Sequence, residues 1–315
     1  MLRVAIVGLG GIGGVHVLNW ETVENAKLIS ACDVRPECFE KVEKLQIPVY
    51  TDMQKMIEEQ KPDIVDICTP SYLHIENARL ALGMGCNVIL EKPVSLSSKD
   101  IDGLYELAEQ NHVKLMVAHV VRFWNEYVKL REIIQSGEYG KVLNAHFLRM
   151  GEVPRWSFEN WMLDKSKSGL VPFDLHIHDL DFIVYTFGKP LSWEIKRCER
   201  NMSDYLFASY QYDDFFVHCE AAWIDGAYPF QCRFRVQFEK ALVEAVGGIV
   251  NIYTPDGKIM NLEEETKAET GINLPSSNAY ANELHYFADC VAKNHPIDMV
   301  PKEDLKIVLD ILENM

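Results

Sequence analysis

The chain has little basic charge for its size and no long apolar run. Lys and Arg together number 31 against 47 Asp and Glu in 315 residues, so the formal net charge is −16. Nucleic acids and anionic membrane surfaces bind through clustered Lys and Arg, so this balance argues against either partner. No stretch approaches the ~20 apolar residues of a membrane span. The first residues also have the pattern of a strand rather than of a signal peptide. We therefore expect a cytoplasmic protein.

Paired cysteine motifs are also missing. The eight cysteines include no C-x-x-C, and Cys32, Cys68 and Cys86 lie in or beside predicted parallel strands. Such cysteines are typical of reduced, buried thiols, which agrees with a cytoplasmic location and does not predict a disulfide framework.

A glycine-rich turn follows the first apolar strand. Leu2 to Val7 is β-branched and apolar, and it leads into GLGGIGG, in which Gly8, Gly10 and Gly13 fit G-x-G-x-x-G. A second apolar strand ends on Asp33, twenty residues after Gly13. Glycines there allow a tight turn and close approach to a pyrophosphate, and an acid at that distance binds the adenosine ribose. The pattern predicts a dinucleotide site.

The acid also bears on which dinucleotide is bound. A carboxylate at Asp33 accepts hydrogen bonds from both ribose hydroxyls and repels a 2′-phosphate, which favours NAD over NADP. Arg35, two residues later, is the side chain that could swing toward such a phosphate. NAD is the predicted cofactor.

The pattern of predicted strands and helices changes near the middle of the chain. Up to about Ala118, strand and helix patterns alternate, which predicts a doubly wound parallel sheet in a first domain, residues 1–120. A strand-rich stretch from Leu191 to about Leu262 predicts an antiparallel sheet in a second, α+β domain, residues 121–315. Residues 263–277 are polar and predict a loop, and the last helix could pack back on the first domain.

Two further patterns predict proton transfer. Glu91-Lys92-Pro93 follows the apolar run 87–90 at the carboxyl end of a predicted strand, where a nicotinamide would lie. In the segment DLHIHDLD, Asp174 and His178 have i, i+4 spacing and share one face of a predicted helix, residues 174–187. Oxidation of an alcohol needs a proton acceptor, and histidine titrates near neutral pH. We interpret His178 as the general acid/base.

Each of these residues has an alternative interpretation. His178 and Asp174 could form a stabilising pair on the helix, and Lys92 could merely end a strand. His74 either lines the nicotinamide pocket or lies near the surface at a helix start. Arg122 either binds substrate or forms an ordinary salt bridge. A metal site at His176 and His178 is disfavoured, because residues i and i+2 on a helix point some 200° apart.

With these motifs in hand, the chain resembles the glucose-fructose oxidoreductase / inositol dehydrogenase family. The resemblance rests on GLGGIGG with CDVRPE, on TPSYLH at 69–74, on EKP at 91–93, on the D-x-x-x-H helix and on Ser136-Gly137 with Gly140-Lys141-Val142. It implies a Rossmann domain followed by a domain whose large open sheet mediates oligomerisation. It also implies a pyridine-nucleotide oxidoreductase of sugars or polyols. The sequence leaves open whether the peptide before Pro93 is cis. His176 stands where many members carry glycine, beside the substrate.

The predicted function is NAD-dependent hydride transfer between a secondary hydroxyl of a sugar, inositol-like polyol or derivative and the nicotinamide. Lys92, Asp174 and His178 are the predicted catalytic residues, and no metal is predicted. The predicted cofactor-binding residues are Gly8, Gly10, Gly11, Ile12, Gly13, Asp33, Arg35, Thr69, Pro70, His74, Glu91 and Lys92. The predicted substrate-binding residues are Lys92, Arg122, Trp161, Asp174, His176 and His178. A homo-oligomer, dimer or tetramer, is expected. The alternatives are a glycoside-cleaving enzyme that uses NAD and a non-catalytic dinucleotide-binding regulator.

Overall fold

The computed structural model describes residues 1–200, 202–262 and 278–315. The chain forms two compact units, Met1–Val120 with Ala279–Leu309 and Val121–Asn278 with Asp310–Met315. Residues 279–309, which the sequence pattern assigned to the second domain, thus cluster with the first. The loop predicted at 263–277 lies outside the described residues.

The first unit contains a six-stranded parallel sheet. Its strands β1 to β6 are Leu2–Val7, Ala26–Cys32, Val49–Tyr50, Ile64–Ile67, Asn87–Glu91 and Leu115–Ala118. They lie in the order β3-β2-β1-β4-β5-β6, which confirms the predicted doubly wound arrangement. Strands β4 and β6 are buried along their whole length, as expected of apolar strands covered on both faces.

Four helices connect these strands. Helices α1 to α4 are Gly11–Trp20, Met53–Gln60, His74–Gly83 and Lys99–Gln110. The segment Pro36–Leu45 is a 3-10 helix, and a second 3-10 turn, Ser71–Leu73, precedes α3.

The second unit contains an eight-stranded, mostly antiparallel sheet. Strands β7 to β14 are Val142–Glu152, Ser192–Arg200, Ser203–Gln211, Phe216–Ile224, Gln231–Phe238, Leu242–Val246, Ile249–Tyr253 and Ile259–Leu262. They lie in the order β14-β13-β12-β11-β7-β10-β9-β8, and β10 runs parallel to β7. Burial alternates along β9 and β11, so one face of the sheet covers a core and the other is exposed.

The helices of the second unit are α5 (Asn125–Ser136), α6 (Lys165–Ser168) and α7 (Ile177–Phe187). The helix predicted from residue 174 begins differently, because Pro172–His176 forms one π-helical turn that continues into α7. Hydrophobic periodicity does not distinguish a π turn from α-helix, which is why the sequence analysis missed it.

Two later helices, α8 (Ala279–Ala292) and α9 (Lys302–Leu312), follow the sheet. Helix α8 packs on α1, and Asn25 donates a hydrogen bond to Asp289 at 2.8 Å. Lys306 pairs with Asp102 at 2.7 Å. Among the described residues, every helix is too short or too polar to span a bilayer.

Candidate functional site

The glycine-rich turn between β1 and α1 has the shape of a phosphate cradle. A Cβ on Gly8, whose φ is +90°, would lie 2.6 Å from the Cys68 carbonyl oxygen, and one on Gly13 would lie 1.9 Å from the Gly8 oxygen. Both positions therefore require glycine. A Cβ on Gly10 would meet only Arg35, at an ordinary 3.8 Å, so the protein's own packing leaves open space there. Because backbone N–H groups at a helix start attract phosphates, this cradle fits a dinucleotide.

Asp33 lies at the end of β2, beside this turn. One of its carboxylate oxygens accepts a hydrogen bond from the Leu9 backbone N–H at 2.7 Å. The other accepts from the Arg35 backbone N–H at 2.9 Å and from its Nε at 3.2 Å. The hydrogen bond to Asp33 raises the pKa of the Arg35 guanidinium. The carboxylate is thus fixed at the position where an adenosine ribose is expected, with Arg35 turned toward it.

Thr69-Pro70 and Lys92-Pro93 follow the adjacent parallel strands β4 and β5, since Ile67 of β4 pairs with Leu90 of β5. His74 joins the two segments: its Nδ1 lies 2.6 Å from the Pro93 oxygen and its Nε2 lies 2.8 Å from the Thr69 oxygen. Burial lowers the pKa of His74, and a neutral imidazole donates only one proton, which we assign to the shorter contact with Pro93. The Lys92–Pro93 peptide is cis.

His74 is only 1% exposed, so its ring offers little surface to a nicotinamide. The second interpretation of this residue, a location near the surface, is also not what the structure shows. Its contacts make it a buried link between the two strand ends.

Glu91, predicted to bind cofactor, points into the interior of the first unit and is 6% exposed. Its Oε2 accepts a hydrogen bond from the Lys92 backbone N–H at 3.0 Å, and its Oε1 lies 3.1 Å from His16 Nε2. The structure therefore places this carboxylate beneath Lys92. Lys92 itself is partly exposed.

His16, Asp66 and Cys68 are the described residues whose ligand atoms cluster closely enough to hold a metal ion. The His16 Nδ1 and Asp66 Oδ2 atoms are 2.9 Å apart. Two ligands on a tetrahedral ion at ~2.0–2.1 Å would be separated by about 3.3 Å. Because Trp20 Nε1 also donates to that same Asp66 oxygen at 2.7 Å, we interpret this cluster as a hydrogen-bond network.

In the second unit, the π turn and the start of α7 present Asp174 and His178. Both side chains are partly exposed, whereas Asp179 and Asp181 are at most 1% exposed. Trp223 of β10 donates its indole N–H to Asp174 Oδ2 at 3.1 Å. At the start of this helix, the predicted carboxylate and histidine are therefore both accessible.

His176 has no exposed surface, and the prediction that it contacts substrate does not agree with this burial. Its Nε2 lies 2.6 Å from the Tyr210 hydroxyl, and the two rings stack with centroids 5.9 Å apart. Burial lowers the pKa of His176 to about 4, so the ring is neutral at physiological pH. The side chain packs the π turn against the sheet.

Arg122 is buried in an ion pair. Its Nη2 and Nε atoms contact the two Asp181 carboxylate oxygens at 2.6 and 2.8 Å, and both side chains are 0% exposed. Of its two interpretations, the salt bridge is the one that the structure shows, and it leaves no guanidinium surface for a substrate. Arg149 of β7 forms a similar pair with Asp179 at 2.9 Å. These two ion pairs hold α7 against the segment that carries Arg122 and against strand β7.

Trp161 lies on the 3-10 segment Phe158–Leu163 and is partly exposed. Trp156 is 75% exposed, and Phe158 is 45% exposed. This loop of the second unit therefore offers aromatic surface of the kind that stacks on sugar rings.

Sequence analysis missed the buried residues that support the site: His16, Trp20, Asp66, Asp179 and Trp223. A signal existed for two of them. His16 lies between Val15 and Val17 of α1, and Asp66 lies inside the apolar strand IVDI. Buried polar residues need partners, and that requirement would have paired them.

Comparisons with known proteins agree with this architecture. A family model described as an oxidoreductase family with an NAD-binding Rossmann fold matches residues 2–119, and a GFO/IDH/MocA C-terminal domain model matches residues 127–244. A D-glucoside 3-dehydrogenase from Escherichia coli is 27% identical over 314 residues, covering 90% of this chain and 88% of that protein.

Two further comparisons differ in extent. A 2,7-anhydro-N-acetylneuraminate hydratase from Mediterraneibacter gnavus is 31% identical over 185 residues, or 58% of this chain, and the match spans only 49% of the hydratase. A solved structure of scyllo-inositol dehydrogenase from Lactobacillus casei with NAD(H) and scyllo-inositol has a TM-score of 0.79. It is 20% identical and covers 99% of this chain and 95% of that one.

Proposed function

Because the chain belongs to the Gfo/Idh/MocA family of oxidoreductases, we propose that it is an NAD-dependent dehydrogenase of a sugar, inositol-like polyol or derivative. The reaction would transfer a hydride between a secondary hydroxyl and the nicotinamide. The observation that carries this proposal is the likeness to D-glucoside 3-dehydrogenase over nine-tenths of the chain.

The cofactor would lie on the turn of Gly8, Gly10, Gly11, Ile12 and Gly13, with its ribose at Asp33. Thr69, Pro70 and Lys92 lie at the carboxyl ends of the neighbouring strands, where ligands of such sheets bind. The Asp33 carboxylate, already fixed by Leu9 and Arg35, would repel a 2′-phosphate, which favours NAD. When bound, NAD accepts the hydride.

The protein's own groups would handle the proton. His178 accepts the hydroxyl proton during oxidation and returns it during reduction, since imidazole titrates near neutral pH. Lys92 donates a hydrogen bond to the reacting oxygen and stabilises its developing negative charge. Asp174, fixed by Trp223, orients the imidazole or holds a second substrate hydroxyl.

A second candidate is cleavage or hydration of a sugar derivative through transient oxidation. The specific observation is the likeness to 2,7-anhydro-N-acetylneuraminate hydratase, since adding water changes no net oxidation state. Such an enzyme would release product without accumulating NADH.

A homo-oligomer, dimer or tetramer, is part of this proposal. The exposed face of the second unit's sheet carries an aromatic cluster in which the His218 ring lies 4.9 Å from Phe216 and 5.2 Å from Phe207. Phe216 and Tyr205 are each 39% exposed. A second copy of the chain, packed sheet to sheet, would cover these rings.

The proposal is tested by titrating NAD, NADH, NADP and NADPH while following intrinsic fluorescence, and then by following NADH absorbance across a panel of inositols and sugars. Binding of NAD(H) and reduction by one substrate are expected. Product without net NADH would favour the second candidate. Tight binding with no turnover at all would leave the non-catalytic regulator, and absence of dinucleotide binding would overturn the proposal.

A further inference from the structure

A chain of hydrogen bonds runs through the interior of the first unit from Trp20 to the backbone of Lys92. Trp20 donates to Asp66 Oδ2 at 2.7 Å, and the same oxygen lies 2.9 Å from His16 Nδ1. His16 Nε2 lies 3.1 Å from Glu91 Oε1, and Glu91 Oε2 accepts the Lys92 N–H at 3.0 Å. His16 and Asp66 are 0% exposed, so water does not compete for these contacts.

Both ring nitrogens of His16 face carboxylates, and both must donate to satisfy them. Burial alone lowers the pKa of His16, but the charge of Asp66, with smaller effects from Cys68 and from hydrogen bonds, outweighs burial and raises the pKa well above its usual value. A raised pKa favours the ring form in which both nitrogens carry a proton, and the geometry gives each of them a carboxylate oxygen to contact. Cys68 donates its thiol to Asp66 Oδ1 at 3.4 Å, and the Tyr280 ring of α8 lies 6.0 Å from the His16 ring.

The two carboxylate oxygens of Glu91 have different partners. Because Oε1 is held by His16, the carboxylate cannot rotate, and Oε2 stays where the Lys92 N–H points. Because the Lys92 N–H is fixed directly after β5, the direction in which the Lys92 side chain leaves the backbone is fixed as well. Without His16 the buried Glu91 carboxylate would lack a partner for Oε1 and could turn away from the Lys92 N–H.

We propose that His16 is a positioning residue for Lys92: held by Asp66, it locks Glu91, and Glu91 locks the Lys92 backbone. This inference rests on the proposed function, in which Lys92 contacts the reacting oxygen. It adds that the helix of the glycine-rich turn also sets the geometry of the proton-handling lysine. His16 itself touches neither substrate nor cofactor in this scheme.

Two substitutions at His16 separate its two hydrogen bonds. In His16→Asn the amide nitrogen replaces Nδ1, so the bond to Asp66 is kept and the bond to Glu91 is lost. In His16→Gln the amide nitrogen replaces Nε2, so the bond to Glu91 is kept. Val17→Ala is the matched control, because Val17 is a 2% exposed residue of the same helix and lies outside the chain of hydrogen bonds.

The first readout needs no substrate: hydrogen exchange of the Lys92 backbone amide in the full chain, with and without NADH. We expect exchange at least about tenfold faster in His16→Asn, and exchange within about twofold of the natural protein in His16→Gln and Val17→Ala. The second readout is kcat and KM on the substrate that the panel of inositols and sugars identifies. A misplaced catalytic group lowers the rate by about tenfold to a hundredfold, so kcat should fall in His16→Asn with little change in KM and should recover in His16→Gln.

Unchanged Lys92 exchange in His16→Asn would overturn the inference. Equal effects in Val17→Ala would also overturn it, since they would reflect loosening of α1 alone. If His16→Asn does not fold, His16→Leu carries the same expectation, because an apolar side chain of similar size also loses the bond to Glu91. If the natural protein oxidises no substrate, the proposed function fails, whereas Lys92 exchange still decides the role of His16.

Discussion

Trp223 holds Asp174 through a hydrogen bond of 3.1 Å from its indole nitrogen to Oδ2. The bond joins strand β10 to the π turn, so the sheet of the second unit fixes a carboxylate four residues before His178. The position of this carboxylate is thus set by the sheet and not by α7 alone.

The role of His178 is tested by His178→Asn. Loss of a general base typically lowers kcat by about 10²–10⁴-fold, and the limb of the pH–rate profile that rises with pH should disappear. Binding of NADH, followed by fluorescence, should not change. Trp223→Phe is the milder companion variant, since it removes only the bond to Asp174 and should lower kcat by less. A pH profile in His178→Asn with its rising limb intact would contradict the assignment.

The role of Lys92 is tested by Lys92→Ala. Turnover should fall by orders of magnitude, because the developing charge on the reacting oxygen loses its cation, while affinity for NAD should remain close to that of the natural protein. Lys99→Ala, at an exposed lysine of α4, is the control and should behave normally. Normal turnover in Lys92→Ala would sink the assignment.

Cofactor preference is tested by Asp33→Ser. Removing hydrogen bonds between a charged group and the ribose should weaken NAD by about 1.5–3 kcal/mol. The affinity for NADP should rise relative to NAD, because the repulsion is lost and Arg35 is released. The measurement is the ratio of the two dissociation constants, with Glu37→Gln, at a nearby exposed acid, as the control. A ratio equal in both variants would count against Asp33 as the ribose ligand.

His176 makes stability sensitive to acid. Its pKa is lowered to about 4 by burial, whereas in the unfolded chain it is about 6.5. At pH values between these two pKa values, His176 is protonated in the unfolded chain and neutral in the folded protein. The free energy of unfolding therefore falls as pH decreases, by up to about 1.4 kcal/mol per pH unit. Urea unfolding between pH 7 and 4.5 should show a shallower decline in His176→Phe, and parallel declines would disprove this account.

The oligomer is tested by Phe216→Glu. A charge in the aromatic cluster of the exposed sheet face should convert the assembly to monomer, because burying an unpaired carboxylate in a sheet-to-sheet interface is strongly unfavourable. Light scattering after size exclusion measures the mass. Leu191→Glu, at a 66% exposed apolar residue outside the strands, should leave the assembly intact. A monomeric natural protein would contradict the proposal directly.

The sequence predicted those parts of the fold that depend on local pattern. Alternating strand and helix patterns predicted the parallel sheet, the glycine-rich turn predicted its cradle, and the strand-rich stretch predicted the antiparallel sheet. It did not predict β3, which has two residues, or the π turn, because neither has a distinctive period. The site divides similarly: Lys92, Asp174 and His178 carry motif signals, whereas His16 and Asp66 meet only through tertiary packing.

Arg122 and His176 are residues that the sequence analysis singled out and whose burial it did not predict. Both are polar residues for which the sequence analysis considered contact with substrate, and a sequence gives no means of knowing whether such a side chain faces solvent or the core. In the structure one is neutralised by Asp181 and the other by burial beside Tyr210. Both side chains predicted to bind substrate are therefore buried in the interior of the second unit.

The first unit is discontinuous in sequence, since it needs Ala279–Leu309 as well as Met1–Val120. During synthesis on the ribosome, the parallel sheet emerges more than 150 residues before the helix that packs on α1. At a translation rate of about 5–20 residues per second, the apolar side of α1 remains exposed for about ten seconds or more before α8 is synthesised and can pack on it. The nascent chain is thus exposed to chaperones and to aggregation for that interval, and a gene fragment ending at residue 120 would encode a protein that remains permanently in this state.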